Sequence, residues 1–236
     1  MPDYQNCYIA FLDLLGFKNL INCKSCQDIM GYFAEIETEY IITDNIMGQP
    51  LIQPAAIKKK IMSDSICFYV DADIKNSLAG LVAVCDYFQV RMLRLQEPIL
   101  CRGAIVKGNI YANGDITFGP GVTNAYLLEE QVANTPRIII AKSVIDGWGN
   151  YDAGGKNYIK EYLFRDTDDF FVLDYLFLFY GLSHDQDSWK NFAKYVVERL
   201  DHELNPKIRE KYLYIKRQFS RVTKKYMDYI EEHKDA

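Results

Sequence analysis

Two aspartates carry the chemistry that this sequence offers. Asp13 ends the apolar run YIAFLDLLGFK, Tyr8 to Lys18, which reads as a strand turning through Gly16 into a helix. Asp64 lies in IMSDSICFYV, where Ser63-Asp64-Ser65 reads as the turn of a hairpin between two β-rich runs. A strand end and a hairpin tip can meet at one edge of a sheet. Two carboxylates there would suit magnesium or manganese, hard cations that take oxygen ligands and keep positions open for the phosphates of a nucleotide. Taken singly, each Asp has an ordinary reading as a turn residue or a helix N-cap.

The other metal-ligating residues lead less far. Cys23 and Cys26 form one C-x-x-C with no second pair or nearby His to complete a zinc site. Cys7, Cys67, Cys85 and Cys101 fall in apolar segments, where a thiol packs as a small hydrophobe.

The elements that must position the two acids follow from periodicity. Residues 7–13 alternate too little for a half-exposed strand, so the strand is expected to be buried on both faces of a covered sheet. Helical spacing recurs from Phe17 to Asn22 and from Gln27 to about Tyr40, and a loop follows from Asp44 to Pro54. Asn76 to Glu97 is an amphipathic helix ended by Pro98. Residues 99–111 read as a strand that bends at Gly108 and continues briefly to Tyr111. A Gly-Pro-Gly loop then leads into a helix from about Val122 to Val132. A β-rich run from Pro136 to Ala141 comes next, then a Gly-rich loop at 146–157, then FFVLDYLFLF, whose start reads as a buried strand.

Beyond Gly181 the pattern becomes helical. Ile208, Tyr212, Ile215, Phe219, Val222, Tyr226 and Tyr229 make a heptad seam, which fits either a helical hairpin docked on its own chain or a dimerisation arm. Lys207, Arg209, Lys211, Lys216, Arg217, Arg221, Lys224 and Lys225 are read as the solvated face of that helix. The fold class is therefore α+β, a mixed sheet covered by helices, with a main unit at 1–180 and a helical C-terminal extension at 181–236.

Composition narrows the classes of function. Hydrophobic residues make up 49% of the 236 and charged residues 25%, enough for a substantial core and against a disordered chain. The net charge of −5 argues against a surface devoted to nucleic-acid backbone. There is no apolar run of about 20 residues and no basic-then-apolar leader in MPDYQN, so a cytoplasmic location without membrane insertion is expected.

At FLDLLGFKNL, MSDSICFYV, RGAIVKG and TFGPGVTNAYLLE, the chain resembles the class III nucleotidyl cyclases, over about residues 7–145 and in the family's order. It looks most like the small pyrimidine cyclases of bacterial antiphage (Pycsar) systems. The resemblance implies that Asp13 and Asp64, with the backbone carbonyl of Leu14, hold two manganese or magnesium ions. It implies a nucleoside triphosphate substrate, UTP favoured over CTP, and a homodimer with shared active sites. A separate effector sensing the cyclic pyrimidine nucleotide would complete the pathway. Phe17 to Asn19 would offer backbone amides to phosphate, with Lys18 as a further charge, and Lys60 stands at the family's base-selecting Lys.

Three positions depart from the family pattern. Thr123 stands where Asn is usual, Leu127 where a transition-state Arg is usual, and Ile116 near the usual base-selecting acid. Ile116 is compatible with a pyrimidine. Loss of the Arg requires another cation, for which Arg102 and Lys107 are the catalytic candidates, or else leaves a weakly active, nucleotide-binding module. The bland alternative for Arg102 is a structural ion pair.

Overall fold

The computed structural model describes residues 3–37, 43–44, 49–50, 52–53, 56–147, 158–182 and 186–232. Strand β1 (Gln5–Leu14) leads into helices α1 (Phe17–Cys23) and α2 (Cys26–Glu37). A two-residue ladder, β2 (Thr43–Asp44) with β3 (Gln49–Pro50), precedes the hairpin β4 (Lys58–Met62) and β5 (Ser65–Asp71). Helix α3 (Ser77–Leu93) and strands β6 (Cys101–Asn113) and β7 (Ile116–Phe118) follow. Next come α4 (Pro120–Val132), β8 (Ile138–Ile140), α5 (Lys142–Asp146), β9 (Leu163–Arg165) and β10 (Phe171–Leu173). The chain then turns helical: α6 (Tyr175–Leu182), α7 (Gln186–His202) and α8 (Pro206–Glu232). Most of the expected 44–54 loop and residues 148–157 of the Gly-rich loop lie outside the described residues.

All the described strands except β2 and β3 form one mixed sheet in the order β4-β5-β1-β6-β8-β10-β9, with β7 folded back on β6. β1 lies centrally, antiparallel to both β5 and β6, and β6 runs parallel to β8. Its run from Cys7 to Leu12 is buried throughout, because the two faces of the strand meet different helices. Tyr8, Ala10, Leu12 and Leu14 join the α3 core with Leu78, Leu81, Cys85 and Phe88. Cys7, Ile9 and Phe11 join the α4 core around Ala125. The absence of alternation in the sequence is thus the mark of a sheet covered on both sides.

Two elements differ from the sequence reading. β6 does not bend at Gly108; it continues to Asn113 and stays paired with β1 through Ile110. Gly108 instead admits α4: a Cβ there would lie 2.8 Å from Gly121 Cα, so the helix packs backbone against backbone on the strand. Helix α3 ends at Leu93, short of Pro98, and the chain regains the sheet at Cys101.

The heptad seam of α8 packs on its own chain, as one of the two readings had it. Tyr212, Ile215 and Val222 are buried in a second core with Phe179 and Phe192, and Phe219 packs edge-on against Trp189. The basic face is not uniformly solvated. Arg221 reaches both oxygens of the fully buried Asp174 at 2.7 and 2.6 Å, and Lys225 adds a third contact at 3.0 Å. Tyr214 donates to Asp166 at 2.9 Å, beside the Arg137–Asp166 pair at 2.7 Å. Those groups lie on the inward side of the helix because Asp166, just after β9, and Asp174, between β10 and α6, meet them there.

Candidate active site

The end of β1 is held by its neighbours in a fixed register. Asp13 lies between Ser65 of β5 and Arg102 of β6. Just beyond, the Leu14 amide donates to the Asp64 carbonyl at 2.9 Å and the Leu15 amide to the Leu100 carbonyl at 2.8 Å. The Ser63-Asp64 tip, with Ser63 in the left-handed region, is thereby fastened beside the strand that carries Asp13. Gly16 then adopts φ 84°, which turns the chain away into α1. Both carboxylates are partly exposed.

Arg102 anchors one side of this end. Its Nε lies 3.1 Å from Asp13 Oδ2 and 2.7 Å from Glu129 Oε1, and an amino group reaches the Ala133 carbonyl at 3.4 Å. Glu129 is almost fully buried. Its Oε1 has a charge beside it but no aligned donor. Burial pushes the Glu129 carboxyl up to about 7; Arg102 draws it down, while Asp13 and Glu130 raise it further. Arg102 therefore makes the ion pair that was its bland alternative, directly on Asp13. Sequence reasoning missed Glu129. The available signal was the spacing Gly121, Ala125, Glu129, four residues apart on the buried face of α4.

The remaining candidates divide by face. Lys60 donates to the Gly114 carbonyl in the β6–β7 turn, which brings it to the turn that carries Ile116. Ile116 is 61% exposed. Thr123 and Leu127 lie one turn apart on the exposed side of α4, and Thr123 Oγ1 reaches the Gly119 carbonyl at 3.4 Å. Lys107 is not brought to Asp13: it lies opposite Tyr8, five residues along the strand, with its ammonium over the Tyr8 ring at 5.4 Å. The odd spacing from Arg102 puts it on the other face.

Around α1 the Phe17 ring is buried edge-on against Phe33, so only its backbone can serve a ligand. The Asn19 amide already donates to the Gly16 carbonyl at 2.9 Å. Lys18 is exposed.

The donor set at the strand end fits a hard cation. Asp13 and Asp64 carry carboxylate oxygens, and Leu14, whose amide is tied to the Asp64 carbonyl, follows Asp13 directly. Among the described residues no group of three His, Cys, Asp or Glu could by itself hold a metal ion. Cys23 and Cys26 are exposed free thiols.

No family model matches the chain, and no curated protein matches it significantly. Among solved structures it is similar to the adenylyl cyclase CyaB from P. aeruginosa: 13% identity, 72% of this chain and 94% of that one, TM-score 0.47. It is also similar to the catalytic core of a rhodopsin-guanylyl cyclase with converted specificity, in complex with ATPαS (14% identity, 72% and 96% coverage, TM-score 0.47). A third is an adenylate/guanylate cyclase/hydrolase from Silicibacter pomeroyi (18% identity, 72% and 95% coverage, TM-score 0.44).

Proposed function

We propose that the chain is a metal-dependent pyrimidine nucleotide cyclase that converts UTP, or else CTP, to the 3′,5′-cyclic monophosphate and pyrophosphate. One observation carries the reading: the Leu14–Asp64 hydrogen bond, which fastens the segment bearing the second acid beside the end of the strand that bears the first. Asp13, Asp64 and the Leu14 carbonyl would hold two manganese or magnesium ions. When bound, such ions neutralise the triphosphate and lower the pKa of the ribose 3′-hydroxyl.

The chain's own groups then have separate tasks. Arg102 orients the Asp13 carboxylate, and Glu129 holds Arg102 in place from below. Lys60 and the exposed Ile116 would face the base in the partner's half of a homodimer, where an apolar side chain in place of an acid withdraws the acceptor that a purine amino group would need. Thr123 and Leu127 would line the same shared interface. The product would serve as a second messenger for a separate effector in antiphage defence.

The test is incubation of the purified protein with manganese and each of ATP, GTP, CTP and UTP, resolving products by mass spectrometry beside Asp64→Asn. Cyclic UMP or CMP from the wild type and none from the variant is expected. A second reading, nucleotide binding without turnover, is favoured by one feature: Leu127 offers no donor at the position where the resemblance expects a transition-state Arg. Nucleotide bound with no cyclic product from any triphosphate would select it.

A further inference from the structure

The C-terminal helices close a cavity at the end of β1. It has a volume of about 260 Å³, far larger than the roughly 30 Å³ share of one water, and begins at Leu15 and Gly16, immediately after the proposed metal ligands. Its far wall comes from α7 and α8, through Arg199 and Lys211. Three cations and one acid line it. The acid is already taken, since Lys24 contacts Glu97 at 2.6 Å. Arg199 Nε points to the Tyr212 hydroxyl at 3.3 Å.

Lys211 is different. Its side chain is half-buried, and among the described residues its ammonium makes no hydrogen bond or ion pair. An ammonium withdrawn from water without a counter-charge is unfavourable, and burial lowers the pKa of Lys211 accordingly. Lys211 lines the same cavity as Leu15 and Gly16, the residues that directly follow Asp13 and Leu14.

We infer that this cavity receives the β- and γ-phosphates of the substrate and that Lys211 contacts them, so that the C-terminal extension supplies the cation the α4 helix lacks at Leu127. The inference rests on the cyclase reading for the identity of the polyphosphate. In the step served, the 3′-oxygen bonds to the α-phosphorus and the bond from that phosphorus to the bridging oxygen breaks. The electron pair leaves with pyrophosphate, and the hydroxyl proton passes to water. Lys211 is placed where the leaving charge accumulates.

Inorganic pyrophosphate with magnesium is the probe, titrated calorimetrically into the full chain. Lys211→Met keeps the apolar stem and should weaken binding by about tenfold or more, the effect of losing one charge-assisted hydrogen bond. Lys211→Arg should stay within about threefold. Lys216→Gln, a change at an exposed position of the same helix, should leave affinity unchanged. Should Lys211→Met fail to fold, amine acetylation of the wild type replaces it: pyrophosphate should slow modification of Lys211 and not of Lys216.

Wild type that does not bind pyrophosphate, or Lys211→Met that binds as wild type does, overturns the inference. Equal acetylation of Lys211 with and without pyrophosphate does the same. The two readings fail separately. Lys211-dependent pyrophosphate binding without any cyclic product would uphold the site and remove the cyclase, whereas active enzyme indifferent to Lys211 would do the reverse.

Discussion

Asp13 and Asp174 are both aspartates at strand ends paired to arginine, and they serve opposite ends. Asp174 is fully buried and takes two contacts from Arg221 and one from Lys225, so both of its oxygens are occupied. Asp13 keeps 22% of its side chain exposed, and it shares a single Arg102 nitrogen with Glu129. A saturated carboxylate fixes a helix in place. A carboxylate held on one side only is positioned and still has lone pairs to offer.

The comparison is broken most sharply by removing one acid from each region. Asp64→Asn should lower turnover by about a thousandfold or more, the several kcal/mol that metal-bound charge contributes, while the melting temperature stays near that of wild type. Asp174→Asn should do the opposite. It leaves Arg221 and Lys225 without their buried counter-charge, and denaturant unfolding should report a loss of about 3–5 kcal/mol. A turnover defect in Asp174→Asn larger than its unfolded fraction explains would erase the distinction.

Smaller effects sharpen it. Leu127→Arg restores a donor on the exposed side of α4 and should raise turnover about tenfold or more, read as kcat with KM little changed. Glu129 gives an effect on stability that is spread over a pH interval and has a definite sign. Its carboxyl titrates near 7 in the folded protein against an ordinary 4.5, so the folded state holds the proton longer than the unfolded chain does. That contribution to stability is fully present below about pH 4.5 and is lost as pH rises through about 7, at no more than about 1.4 kcal/mol per pH unit. Melting curves of Glu129→Gln should be flatter than wild type between those limits.

Much of this was legible in the sequence, for identifiable reasons. The unalternating run before Asp13 pointed to two covered faces, and Ser63-Asp64-Ser65 between β-rich runs pointed to a tip, and the Leu14–Asp64 hydrogen bond sets that tip beside the strand end. The sequence reading offered both Arg102 and Lys107 as the replacement cation, although their odd spacing on one strand puts them on opposite faces, as the register with β1 shows. Glu129 was hidden because a charged residue on a helix is ordinarily solvated. Its burial depends on the Gly108–Gly121 approach, a tertiary fact. Lys211, Arg221 and Lys225 were hidden for the same reason, since a basic helical face shows its partners only when Asp174 and the cavity wall are in place.

Among the described residues no helix is long and apolar enough to cross a membrane. The proposed metal ligands are Asp13 near the end of β1 and Asp64 in the β4–β5 turn.

Manganese binding followed by electron paramagnetic resonance tests that claim most directly, with wild type, Asp64→Asn and Asp174→Asn titrated side by side in the presence of a non-hydrolysable UTP analogue. The account predicts two bound ions in the wild type and in folded Asp174→Asn, and loss of binding in Asp64→Asn. Manganese bound equally well by Asp64→Asn would contradict it.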